Sequence, residues 1–244
     1  MTEHPTIERG LGPEAAADLA GAALALARRF AAGATMWCVA PEFPEHARHV
    51  AVEFVHPVIM GKRALPAVAV DDADTVRALR AVARPGDILC AVSTASAATV
   101  SEAMVRARVW GLTTVWIGAG ARPDAGVADH VLWVDGNGDQ AAYDGSLVLQ
   151  YHVLWELTHV CFEHPGLLGP DDGAACDTDD TCITCSDEGT LAEVVSVDVT
   201  GAASVRTAGG VERIDVNLVA PVGPGDLVLV HAGTAIALVG SASG

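Results

Sequence analysis

In the run HARHVAVEFVH, His46, His49, Glu53 and His56 recur at intervals of three, four and three residues. On a helix that spacing puts all four on one face. A second run, QYHVLWELTH, repeats the device with His152, Glu156 and His159. Imidazoles and carboxylates gathered this way suit general acid–base catalysis or a borderline metal ion such as zinc. They also suit two amphipathic helices with solvated polar faces, since His and Glu four apart stabilise a helix on their own.

Two further stretches carry candidate chemistry. CAVSTASAATVSEAM places Ser93, Thr94, Ser96 and Thr99 between an apolar strand and a helix start. Free backbone N–H groups and short hydroxyls there would seat an anion such as a phosphate monoester, or the hydroxyls would simply cap the helix. In CDTDDTCITCSDEG, Cys176, Cys182 and Cys185 are set among five acidic residues. Cys182 and Cys185 form a C-x2-C pair, half of a tetrahedral zinc site that Cys176 and His164 could complete. A redox role would need the pair to open a helix of a thioredoxin-like unit, which the surrounding sequence lacks.

Charge and composition narrow the classes. A formal net charge of −17 opposes nucleic acid and anionic membrane surfaces as partners. No basic segment followed by an apolar run opens the chain, and no stretch reads as a membrane span, so a cytoplasmic protein with reduced thiols is expected. Cys38, Cys90 and Cys161 fall in apolar runs and are expected to pack in the core.

The elements that must position these residues come in two series. Up to about residue 168, apolar strands (ATMWCVA, LPAVAV, GDILCAVS, TTVWIGA, HVLWV) alternate with helical runs, the last of them Asp144 to His164, closed by Pro165-Gly166. Such alternation predicts an α/β unit, a mainly parallel sheet covered by helices. Residues 169–181 are Gly/Asp-rich without an apolar period and read as an acidic linker. From 182 to 244, five runs alternate at period two between Gly-containing turns, predicting a small antiparallel sheet or barrel.

Residues from about 15 to 165 resemble a sugar isomerase (SIS) domain of the phosphoheptose isomerase type. The resemblance rests on the element order, on GDILCAVSTASAATVSEAMVRARVWGLTTVWIGAG and on HVAVEF. It implies a sugar phosphate held by Ser93, Thr94 and Ser96, and metal-binding or acid–base groups at His49 and Glu53. A late-helix histidine, His152 or His159, would join them, with Glu53 and His159 as catalytic pair if the domain is an isomerase. It also implies assembly as a homodimer or homotetramer. Where the family has a glycine-rich, Ser-bearing loop after the first strand, this chain has APEFPEH; Glu42 and Glu45 there bring like charge towards a phosphate.

From Cys182 to Val239 the chain resembles a HypC/HupF-type hydrogenase maturation chaperone, through AEVVSVD, GVERIDVNLV and above all VGPGDLVLVHAGTAIALV. That resemblance implies a small oligonucleotide-binding-like β-barrel that binds no nucleic acid. Its cargo would be an iron carrying cyanide and carbon monoxide ligands, passed to the [NiFe]-hydrogenase large-subunit precursor with a HypD-type scaffold as partner. The family's essential cysteine maps onto Cys182 and its strand histidine onto His231, with Cys185 a further thiol for iron or zinc. A thiolate is soft and electron-donating, as low-spin iron requires. The acidic segment would then be an extended tether presenting both thiols, their pKa values raised by the surrounding carboxylates unless a metal offsets them.

Overall fold

The computed structural model describes residues 13–57, 59, 61–72, 74–134, 138–169 and 189–241. The first series runs α1 (Pro13–Ala31), β1 (Met36–Val39), α2 (Pro44–Val55), β2 (Ala67–Ala69), α3 (Thr75–Val82), β3 (Ile88–Val92), α4 (Ala98–Val109), β4 (Thr113–Ala119), β5 (His130–Val134), α5 (Gly138–Tyr143) and α6 (Ser146–Glu163). A 3₁₀ turn at Pro165–Leu168 ends it. All strand pairs are parallel, in the order β2-β1-β3-β4-β5. The winding therefore reverses between β1 and β3, which opens a crevice beyond their C-terminal ends.

Residue alternation along the strands sorts two cores. Met36, Cys38, Ile88, Cys90, Val115, Ile117 and Leu132 face α1, α2 and α6. Val39, Leu89, Ala91, Trp116 and Trp133 face α3 and α4. Helix α1 buries Leu19, Ala22, Ala23, Leu26, Ala27 and Phe30, the three-and-four spacing of a single apolar stripe. Asp74 caps α3 by accepting from the Arg77 amide at 2.9 Å, as Asp before an apolar period should. Gly118 is required where Trp133 crosses β4: a Cβ there would lie 2.4 Å from the indole ring. Cys38, Cys90 and Cys161 are free and buried, as expected, and burial pushes the Cys90 thiol up to about 12.

The helix expected from Asp144 to His164 is shorter. Gly145, at φ +87°, stands at its N-cap in the left-handed region, so α5 and α6 are separate helices.

The second series is β6 (Thr190–Val197), β7 (Ala202–Thr207), β8 (Gly210–Asp215), β9 (Leu227–His231) and β10 (Thr234–Gly240). It closes into a barrel in the order β10-β8-β7-β6-β9. Four of the pairs are antiparallel, and the last, β10 with β8, is a parallel bridge between Thr234 and Asp215. An odd number of strands cannot alternate direction all the way round, so one parallel seam is unavoidable. Ala192, Val194, Ala203, Val205, Ile214, Val228, Val230 and Ala235 fill the interior.

Glu193, between inward-facing Ala192 and Val194, points out of the barrel and into the α/β unit. It accepts from Arg106 Nη1 on α4 at 2.9 Å and from Trp110 Nε1 at 2.9 Å, and it pairs with Arg80 on α3. Arg106 also donates to the Gly225 carbonyl at 2.6 Å. Leu227 of the barrel joins the α3/α4 core beside these polar contacts. Barrel and sheet are thus fastened through α3 and α4. The expected linker 169–181 lies outside the described residues apart from Gly169, as do Cys176, Cys182 and Cys185.

Candidate functional site

Helices α2 and α6 cross the same face of the sheet, and their polar stripes meet. His152 Nε2 lies 3.2 Å from His49 Nε2 and 3.1 Å from Glu53 Oε1. The ligand atoms of the three residues all fall within 4.8 Å of one another. Tetrahedral zinc with bonds of about 2.0–2.1 Å sets its ligand atoms about 3.3 Å apart, so two imidazoles and a carboxylate at this spacing fit such an ion. Three protein ligands would leave a fourth position open, the pattern of zinc sites that do chemistry rather than hold structure.

Behind the triad a hydrogen-bonded chain fixes the His49 ring. His46 Nε2 donates to the Ala142 carbonyl at 2.9 Å. A neutral His46 then has only an acceptor at Nδ1, so the Tyr151 hydroxyl donates to it at 3.3 Å. The phenol oxygen in turn accepts from His49 Nδ1 at 2.8 Å. This leaves the His49 Nε2 lone pair facing His152 and Glu53, the tautomer a metal ligand needs. Burial, then the Glu53 carboxylate, push the Tyr151 phenol up, keeping it a donor. Burial, then His152, hold the His49 imidazole below its ordinary value. Replacing Tyr151 with Phe is expected to weaken zinc binding by about 10–100-fold, as loss of a group behind a ligand does; competition titration against a zinc chelator reads this. An unchanged affinity would mean that the chain of bonds does not orient His49.

Tyr151 and His46 escaped notice as orienting groups. Tyr151 sits next to His152 in sequence, but nothing in its spacing marks a phenol that bridges two helices.

The remaining expected residues are dispersed. His159 is buried, with Nδ1 2.9 Å from the Trp155 carbonyl and Nε2 3.1 Å from the Arg63 carbonyl, so its ring faces backbone rather than the triad. Seven residues along α6 carry it two turns beyond His152, away from the triad. Glu156 faces Lys62 at 4.0 Å, and His56 is exposed. His231, at the end of β9, is half-buried and paired with Thr234. Among the described residues, metal-competent side chains gather in threes only at His49, Glu53 and His152.

At the Ser/Thr loop, Ser93 faces the α3/α4 core, where its hydroxyl accepts from Trp116 Nε1 at 2.9 Å. Thr94 and Ser96 remain in the loop, their hydroxyls 2.8 Å apart. Neither caps α4, whose N-cap is Ala97 without a side-chain bond.

Residues 189–243 match the HupF/HypC family model. The HupF/HypC match spans all five barrel strands, including His231, and also takes in Glu193, the residue that fastens the barrel to α4. No curated protein matches the chain. Among solved structures, a phosphoheptose isomerase from Francisella tularensis shares the fold of the α/β unit at 16% identity, with a TM-score of 0.50 over 61% of this chain and 86% of that one. A phosphoheptose isomerase from Neisseria gonorrhoeae aligns at 18% identity over 59% of this chain and 89% of that one, TM-score 0.48. The sugar isomerase domain of an RpiR transcription factor from Sphaerobacter thermophilus aligns at 22% identity over 64% and 82%, TM-score 0.45. The chain therefore joins an α/β unit with a phosphoheptose isomerase-like fold to a barrel that matches the HupF/HypC family model.

Proposed function

We propose that the protein is a [NiFe]-hydrogenase maturation factor whose HupF/HypC barrel docks on a HypD-type scaffold and on the large-subunit precursor. In this reading Cys182 carries the Fe(CN)2CO cargo, with Cys185 and His231 as further ligands. The observation that carries it is the HupF/HypC match over the whole barrel; Cys182 stands seven residues before the matched span. The SIS-type domain serves as a ligand-sensing or oligomerising platform, assembling the chain as a homodimer or homotetramer. Exposed Val52 on α2 and Leu149 on α6 are apolar surface suited to that assembly. No helix among the described residues is long and apolar enough to cross a membrane.

Protein purified without oxygen is the test, by metal analysis and infrared spectroscopy on the native chain and on Cys182→Ala. Iron with cyanide and carbonyl bands, lost in the variant, is the expected result. Iron-free native protein, or bands that persist in Cys182→Ala, would overturn the cargo role.

A second reading is favoured by the His49, Glu53, His152 triad: a sugar-phosphate isomerase of the aldose–ketose type, with the barrel as accessory. Here a zinc ion held by the triad would polarise a substrate oxygen, and Glu53 would be in place to hold or move a proton. Turnover of sedoheptulose 7-phosphate that disappears in Glu53→Ala would favour this reading over the first.

A further inference from the structure

The crevice beyond β1 and β3 is already spanned by a side chain. Glu42, in the turn between β1 and α2, directs its carboxylate across the winding reversal to the head of α4. Its Oε2 accepts from the Thr94 amide at 2.9 Å, and its two oxygens lie 3.1 and 3.0 Å from the Thr94 hydroxyl. With the single Thr94 hydroxyl proton turned to the carboxylate, the 2.8 Å bond between Ser96 and Thr94 must run from the Ser96 hydroxyl to the Thr94 oxygen. Amide and both hydroxyls are therefore polarised in the direction an external anion would demand.

Glu42 is held there by its own turn. The Phe43 amide donates to the Ala40 carbonyl at 3.0 Å, and the His46 amide to the Phe43 carbonyl at 2.9 Å. Pro44 fixes the first turn of α2. The buried Phe43 ring meets His46 and Tyr143 edge-on at 6.1 and 6.0 Å. An intramolecular carboxylate positioned in this way competes at high effective concentration with any free anion.

We infer that Glu42 is the resident anion of the Ser/Thr loop and a specificity determinant that excludes phosphate monoesters from it. A phosphate would have to expel the carboxylate and then lie beside it, with like charges in contact. The crevice is thereby reserved for ligands without an anionic group. This goes beyond both functional readings and bears against the phosphorylated substrate of the second.

Calorimetric titration of the full chain with inorganic phosphate tests it, on native protein, Glu42→Ala, Glu42→Gln and Glu42→Ala/Thr94→Val, each first shown to unfold at the native temperature. Glu42→Ala is expected to bind phosphate at least about tenfold more tightly than native protein, because the competent loop is no longer self-occupied. Glu42→Gln should be intermediate, and the added Thr94→Val change should abolish the gain. Native protein that binds phosphate as tightly as Glu42→Ala would overturn the inference. So would the lack of a gain in both single variants, or a gain that survives Thr94→Val.

Discussion

Replacing Glu193 with alanine is expected to lower the thermal midpoint by on the order of 10 °C, the largest stability effect of any single change considered. Glu193 and Arg106 are each 2% exposed, and the carboxylate satisfies Arg106, Trp110 and Arg80 together. Its removal leaves a buried guanidinium with only Glu102 and the Gly225 carbonyl as partners and a buried indole N–H with none. Breaking one side of a buried ion pair costs about 3–5 kcal/mol, whereas replacing both sides with apolar groups of similar volume is often neutral. Glu193→Leu combined with Arg106→Met should therefore recover the part of the loss due to the stranded guanidinium, and not the part due to the unpaired Trp110 N–H. Scanning calorimetry decides: a Glu193→Ala midpoint within about 2 °C of native would refute the account.

The second large effect concerns zinc. His152→Ala and Glu53→Gln should each reduce affinity by on the order of a hundredfold or more, above the cost of altering a group behind a ligand. A chain with Cys176, Cys182 and Cys185 all changed to serine should keep that binding, which separates the helix triad from the thiols. Affinity should also fall as pH drops, because each imidazole must be neutral to ligate. The lowered His49 value puts that ligand's own share of the loss below the ordinary histidine range. Zinc retained in both triad variants but lost in the serine variant would place the ion on the cysteines instead.

Much of the architecture was legible because its signals are periodic. Near-continuous apolar runs at β1, β3 and β4, alternating with helical runs, announced strands covered on both faces. His49, Glu53 and His152 could be nominated for the same reason, each lying on a polar stripe of a helix. What spacing could not convey was the axial offset at which α2 and α6 cross, and that offset decides the site. It brings His152 to His49 and leaves His159 two turns away against backbone carbonyls. Ser93 went astray through strand parity: one residue more or less at the end of β3 turns a hydroxyl from the crevice into the core. Glu42 was visible as a source of negative charge, but its role as hydrogen-bond partner of Thr94 depends on two loops that meet only because the winding reverses between them. The Glu193 anchor reads in sequence as an ordinary outward residue of a barrel strand.

The triad lies with the helices on one side of the parallel sheet, and the barrel is fastened to the helices on the other. The molecule is consequently two-sided, like a coin with a different die struck on each face. Among the described residues, no barrel side chain joins the group on α2 and α6, and a partner gripping the barrel leaves the triad face free for another copy of the chain. Conversation between the faces travels through the five strands, around the rim that Glu42 and Thr94 close, or along the chain that joins α6 to β6.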